Sequence, residues 1–115
     1  MMEKTVVRGA IYFADLKDFG NSIQHGLRPV VVVSNDSANR YSTIISVVSM
    51  TTRTTKHNLP THIHLSAAES GMRDSICLCE QPLSISKNDL QQYVTTLSAN
   101  AMQRISNGLK IQLAL

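Results

Sequence analysis

One arginine stands where a flexible segment meets a strongly apolar run. Arg28 follows Gly26 and Leu27 and precedes Pro29 and four consecutive valines. Proline disfavours a helical backbone in the residue before it, so we expect Arg28 to be extended, at the head of a strand. A guanidinium is always charged, and its fork of N–H donors fits a phosphate. Arg28 is therefore a candidate phosphate-binding residue, with an ordinary solvated arginine at a strand end as the alternative.

A second candidate group ends another predicted strand. Thr51, Thr52 and Arg53 follow a run rich in β-branched residues at 43–50. If this strand pairs with the valine strand, Thr51 and Arg28 could converge at one end of the sheet. Hydroxyls and an arginine fixed around a phosphate can stabilise the charge that develops on its oxygens during attack by an internal nucleophile. Phosphoryl transfer is the chemistry that this pair would support.

Two histidines and two cysteines offer a different chemistry. His62 and His64, like Cys77 and Cys79, are two residues apart, so on strands each pair would share one face. If the two strands paired, the four side chains could close a tetrahedral zinc site. Known zinc sites more often take their cysteine pairs from C-x₂-C turns. The main interpretation of the two cysteines is therefore buried free thiols, with structural zinc as the alternative.

Composition limits the class of protein. The 115 residues suffice for one domain, spanning 1–115, and we expect a dimer to supplement so small a core. The chain is mildly basic, with 11 Lys+Arg against 8 Asp+Glu, which suits a polyanionic partner. It has neither an apolar run of about 18 residues nor the pattern of a signal peptide. We expect a cytoplasmic protein that does not enter membranes.

Strands are predicted first along the chain and helices last, an order that favours an antiparallel sheet or barrel with segregated helices. The predicted strands are residues 10–16, 29–33, 43–50, 61–65 and 75–80. Residues 17–27 and 51–58 read as polar loops, and 35–39 as a turn or short helix. Serines cap two predicted helices, a short one opening at 86–89 and a longer one after Ser98 with Met102, Ile105 and Leu109 on one face. Pro29 should begin its strand or lie at a sheet edge, and Gly108 should weaken the longer helix by about 1 kcal/mol.

Read together, these segments closely resemble the MazF/PemK family, the toxins of bacterial toxin–antitoxin pairs. The matching segments follow one another in order along almost the whole chain: residues 8–16 (RGAIYFADL), 22–32 (SIQHGLRPVVV), 35–36 with 39–40, 50–52 (MTT), 59–62 (LPTH), 73–75 (RDS), 80–81 (EQ) and the tail 109–115.

The resemblance implies a fold, an activity and partners. The fold is mainly β with C-terminal helices, an SH3-like barrel of the MazF/Kid/CcdB toxin type, acting as a homodimer. The activity is sequence-specific cleavage of single-stranded RNA without metal or other cofactor. The ribose 2′-hydroxyl attacks the neighbouring phosphate and leaves a 2′,3′-cyclic phosphate and a free 5′-hydroxyl. A MazE-like antitoxin would neutralise the toxin, and DNA would not be a direct partner.

By the same resemblance, Arg28 and Thr51 match the family's catalytic arginine and threonine, and Glu80 is a reserve candidate for the general base. Phe19 would stack on an unpaired base, and Ser22 and Gln24 would bond base edges. The full set of implied RNA-binding residues is Phe19, Asn21, Ser22, Gln24, His25, Thr52, Arg53 and Gln81. In the first loop Ile23 replaces the family's usual glutamate, and His25 stands where glycine is common.

Two other functions stay open at this point. The departure at Ile23 allows a member that binds antitoxin but has lost its nuclease activity. A CcdB-like toxin would instead act on a protein target through its C-terminal helix, without cutting RNA.

Overall fold

The computed structural model describes residues 5–18, 20, 25–53 and 58–115, and within them the chain forms one six-stranded sheet. The strands are β1 (Ala10–Leu16), β2 (Gly26–Val32), β3 (Ile44–Thr51), β4 (His62–Leu65), β5 (Ser75–Ser86) and β6 (Leu90–Thr96). Their order across the sheet is β4-β5-β3-β2-β1-β6, and every neighbouring pair is antiparallel. The helices are α1 (Asp36–Tyr41), α2 (Ala67–Ser70) and α3 (Ala99–Leu113), and a 3-10 turn covers Lys87–Asp89. The predicted mainly β fold with a C-terminal helix is confirmed.

Strand β2 lies near the middle of the sheet and is buried on both faces. Val30, Val31 and Val32 are fully buried, and because side chains alternate they divide between two core clusters. Val31 joins the cluster that α3 covers, whereas Val30 and Val32 join the cluster on the opposite face. The prediction of a strand buried on both sides is confirmed.

Helix α3 covers one face of the sheet through Ala101, Met102 and Ile105. Ser98 caps it as predicted, accepting a hydrogen bond from the Ala101 amide. Gly108 is buried at the point of closest approach: a β-carbon there would lie 3.1 Å from the Cys79 sulfur. The glycine therefore lowers the helix propensity of α3 but allows the helix to pack closely on the sheet. The helix continues past it to Leu113.

The start of β2, the length of β5 and the presence of α2 and β6 differ from the sequence prediction. Strand β2 begins at Gly26 rather than at Pro29, so the predicted loop 17–27 is too long and Pro29 lies inside the strand. Proline has no N–H to donate to a neighbouring strand. It is tolerated here because Pro29 pairs with β1 alone, opposite Phe13, and the described pairing of β2 with β3 starts only at Val30. Helix α2, strand β6 and the second half of β5 were not predicted, because their short polar sequences lack clear periodicity.

Among the described residues no helix is both long and apolar enough to cross a membrane.

Candidate active site

Arg28 and Thr51 lie at the same end and on the same face of the sheet. Arg28 opposes Ala14 on β1, and on its other side the β2–β3 ladder pairs Val30 with Ser49. Two residues farther along each strand, the same register brings Arg28 and Thr51 to corresponding positions. Opposed residues of antiparallel strands share a face, and alternate residues along one strand do too. The register, continued past its last recorded pair at Val30 and Ser49, therefore puts Arg28 and Thr51 at one end and on one face of the sheet, as the sequence hypothesis requires.

The Arg28 side chain is held by the backbone that precedes it. Its Nε donates a hydrogen bond to the His25 carbonyl, with a donor–acceptor distance of 2.9 Å. Across the described part of the chain, its two terminal nitrogens make no hydrogen bond or ion pair. The guanidinium is thus oriented through one nitrogen, and the other two remain available to a phosphate.

The Thr51 hydroxyl is oriented by the turn that follows β3. Its oxygen accepts a hydrogen bond from the Arg53 amide at 3.2 Å. A hydroxyl has one proton to donate and two lone pairs to accept with. Since the described contact uses a lone pair, the proton of Thr51 is available to a phosphate oxygen.

Glu80 is held by two neighbours on the other side of β5. One carboxylate oxygen accepts from the Thr61 hydroxyl at 3.2 Å, and the other lies 2.9 Å from His62 Nε2. The Leu59 amide donates to His62 Nδ1 at 3.4 Å, so Nδ1 is an acceptor and Nε2 carries the proton that Glu80 accepts. The Glu80 side chain is 23% exposed and the His62 side chain 8% exposed, so the pair is sheltered and still reachable.

A large bulge in β5 presents Glu80. Along β3, Val48 opposes Pro82 whereas Met50 opposes Cys77, so β5 has four residues where β3 has one. Bulges of this kind bend a strand and re-aim its side chains, and they are common beside active sites. Glu80 forms no hydrogen bond with Arg28 or Thr51, and it lies on β5, the strand next to the one that carries Thr51.

The predicted RNA-binding residues are placed in part. Phe19, Asn21, Ser22 and Gln24, together with Ile23, lie outside the described residues. His25 is exposed, with its Nδ1 3.8 Å from a carboxylate oxygen of Asp18. Thr52 and Arg53 are exposed beside Thr51, and Gln81 is half-buried in the bulge. The described members of the set therefore border Arg28, Thr51 or Glu80 along the chain.

The zinc alternative is wrong. His62 and His64 oppose Leu78 and Ile76, whereas Ile63 opposes Cys77, so the histidines and cysteines project from opposite faces of the sheet. Both cysteines are buried as free thiols in the cluster under α3. Burial raises the pKa of the Cys79 thiol to about 12 and raises that of the Cys77 thiol as well.

Sequence reasoning did not predict that Thr61 and His62 support Glu80. His62 entered it only as a zinc candidate and as part of the LPTH segment. A hydroxyl and an imidazole before a short strand carry no signal by themselves. The relevant fact is the β4–β5 register, which opposes His62 to Leu78, two residues before Glu80.

Two curated relatives match nearly the whole chain. The endoribonuclease MazF of Staphylococcus saprophyticus is 38% identical over 109 residues, covering 94% of this chain and 91% of the relative. The endoribonuclease EndoA of Bacillus subtilis is 41% identical over 111 residues, covering 96% of each chain.

The fold has solved counterparts. One is an endoribonuclease from a mycobacterial species, solved in complex with its cognate antitoxin, which superposes with a TM-score of 0.77 at 24% identity and 96% coverage of each chain. The sequence model of the PemK-like, MazF-like toxins matches residues 7–113. With the whole fold, nearly the whole sequence and these relatives in agreement, the chain belongs to the PemK-like, MazF-like toxin family of type II toxin–antitoxin systems.

Proposed function

We propose that this chain is an endoribonuclease toxin that cuts single-stranded RNA at specific sequences without a metal ion. The observation that carries the proposal is the placement of Arg28 and Thr51 on adjacent strands, at one end and on one face of the sheet. The names of the two curated relatives, both endoribonucleases, support it.

The proposed reaction uses the RNA's own ribose as nucleophile. The 2′-oxygen forms a bond to the adjacent phosphorus while the bond from phosphorus to the 5′-oxygen breaks, which leaves a 2′,3′-cyclic phosphate and a 5′-hydroxyl. The free nitrogens of Arg28 bind the non-bridging oxygens and donate hydrogen bonds to the leaving 5′-oxygen, which takes its proton from water while the guanidinium stays charged. Thr51 donates its hydroxyl proton to the same phosphate. Such fixed donors stabilise the transition state without reorganisation.

Glu80 is the group that we assign to remove the 2′-hydroxyl proton. A carboxylate oxygen can accept that proton while Thr61 and His62 hold the side chain in place. The hydrogen bond from His62 also offsets part of the cost of keeping a sheltered carboxylate charged.

RNA would reach the phosphate site along the sheet end. We propose that His25, Thr52, Arg53 and Gln81 contact the strand beside the cut. Their neighbours in the first loop, Phe19, Asn21, Ser22 and Gln24, would stack on and bond the bases.

Two protein partners belong to the proposal. One is a second copy of the chain, forming a homodimer, and the other is a cognate MazE-like antitoxin. An acidic, disordered antitoxin segment that orders on the sheet end beside Arg28 would block RNA by occupying its site. The mycobacterial fold counterpart was solved with such a cognate antitoxin, which supports this part. The setting for these encounters would be the cytoplasm.

The test is direct cleavage. Purified protein is incubated with a long single-stranded RNA in EDTA, and the product ends are mapped. We expect discrete cuts with free 5′-hydroxyl ends, a loss of at least about a thousandfold in Arg28→Ala and a smaller loss in Thr51→Ala. Arg40→Ala is the matched control, because it removes an exposed arginine of α1, before the opposite end of β3. Intact RNA with a folded wild-type chain that still binds antitoxin would identify a toxin without nuclease activity.

A further inference from the structure

A surface pocket adjoins the candidate active site on the side away from Arg28. It has a volume of about 460 Å³ and is lined by Thr52, Ala67, Met72, Arg73 and Asp74. Thr52 directly follows Thr51, so the pocket begins one residue from the phosphate site. Its volume falls within the range of small-ligand sites.

The turn that carries Arg73 is held rigidly by buried hydroxyls. Ser70 and Ser75, which are 0% and 2% exposed, both donate to the Arg73 carbonyl, at 2.9 and 2.8 Å. The Ser70 hydroxyl also accepts from the Met72 amide at 3.2 Å. Gly71 ends α2 with a φ of 73°, a conformation that side-chain-bearing residues rarely adopt. The backbone under the pocket is therefore fixed before any ligand arrives.

The Arg73 side chain, in contrast, is uncommitted. It is exposed, and within the described ranges its guanidinium makes no hydrogen bond or ion pair. The adjacent carboxylate of Asp74 is already used, since it accepts from the Ala67 amide at 2.8 Å. Arg104, by comparison, is tied to Glu69 and to the His64 carbonyl. The guanidinium is therefore available to an anion, and the hydrogen-bonded turn fixes the backbone position from which it extends.

The sheet sets where this pocket lies relative to the cut. Thr51 opposes Ile76 on β5, and Arg73 is three residues before Ile76. Neighbouring strands are about 4.8 Å apart, so the β5 end is roughly 10 Å from β2, with Thr51 between them. One or two nucleotides of an extended RNA strand span that distance.

We infer that this pocket is a subsite for the nucleotide that flanks the scissile phosphate on the side away from Arg28. Arg73 binds that nucleotide's phosphate, and the Thr52 hydroxyl bonds the polar edge of its base. The inference rests on the proposed function and adds a second phosphate contact, outside the reacting group, that fixes the register of the strand.

The test compares wild type, Arg73→Ala, Arg73→Lys and the control Arg40→Ala. Cleavage kinetics use a synthetic RNA centred on the strongest mapped cut, and binding uses the same RNA with a 2′-deoxy residue at the cut nucleotide. For Arg73→Ala we expect KM to rise about fivefold to tenfold with kcat unchanged. The slope of log K against log salt should shrink by about 0.7, the value of one lost single-strand phosphate contact.

Two further results separate contact from structure. Arg73→Lys should restore the salt slope to the wild-type value but should lower KM only part of the way. Lysine keeps the positive charge but lacks the paired N–H donors of the guanidinium. Removing the flanking nucleotide from the RNA should raise the KM of wild type by the same factor. It should not raise the KM of Arg73→Ala any further.

Failure takes two distinguishable forms. If wild type does not cut RNA, the proposed function fails and this inference fails with it. If wild type cuts RNA but Arg73→Ala matches Arg40→Ala in KM and salt slope, only the pocket assignment is wrong.

Discussion

The two faces of the sheet contrast sharply around the same central strands. On the face under α3, Cys77 and Cys79 are fully buried, and Gly108 brings the helix into direct contact with the sheet. On the opposite face, Arg28 and Thr51 sit at the sheet end with donors left over. The face under α3 is covered by the helix, whereas the opposite face carries a second buried cluster and only at the sheet end leaves Arg28 and Thr51 available to a ligand.

This contrast assigns stability and chemistry to different residues. A change under α3 should alter the free energy of unfolding and leave the kinetics of the folded fraction alone. A change at the sheet end should alter the kinetics and leave the free energy of unfolding unchanged. Each of the following changes tests one side of that division.

Gly108→Val should have the largest effect on stability. Its side chain would collide with Cys79 and with Ile63, each 3.1 Å from the position of a β-carbon. Overpacking of this kind costs about 1–3 kcal/mol, measured as the free energy of unfolding in urea. The control is Lys110→Ala on the exposed side of α3. Wild-type stability in Gly108→Val, or a lowered kcat in its folded fraction, would contradict the division between the faces.

Glu80→Gln should lower kcat/KM by roughly tenfold to a hundredfold, as expected when a general base is removed. Glu69→Gln is the matched control, since Glu69 is a carboxylate bound to Arg104 and to the Ser66 amide. If kcat/KM of Glu80→Gln equals that of Glu69→Gln, the base is another group.

The smallest expected effect is a loss of stability at alkaline pH. Burial raises the pKa of the Cys79 thiol to about 12 from an ordinary value of 9.0. Between those two pH values the unfolded chain releases a proton that the folded chain keeps, so stability falls as pH rises, by roughly 1.4 kcal/mol per pH unit for each such thiol. Urea midpoints at pH 8 and pH 10 measure it. The decline should be shallower in Cys79→Ala, and an equal decline would refute the assignment.

The sequence contains the strongest local signals of this fold. The valine run of β2 and the Ser98 cap of α3 predict their elements because burial and capping depend on neighbouring residues. Strand β6 was missed because it is mostly exposed and lacks an alternating pattern. The start of β2 was placed too late because pairing with β1, rather than local preference, extends it to Gly26.

Some features of the candidate site were likewise predictable from local sequence, and others were not. Arg28 was identified from its setting in the chain, and its approach to Thr51 needed one assumption, the β2–β3 pairing. The support of Glu80 by Thr61 and His62 depends on the β4–β5 register, and no local pattern encodes a register between strands that are distant in sequence.

A double-mutant cycle on Arg28 and Thr51 tests the central claim most directly, namely that both residues act on one phosphate. The measurement is kcat/KM for cleavage of the same RNA by wild type, Arg28→Ala, Thr51→Ala and the double variant, with unfolding free energies as a check on folding. We expect losses of about a thousandfold and about a hundredfold for the single changes, and about a thousandfold for the double variant, because residues that work as one unit are not additive. A loss in the double variant equal to the product of the two single losses would show independent actions and contradict the account.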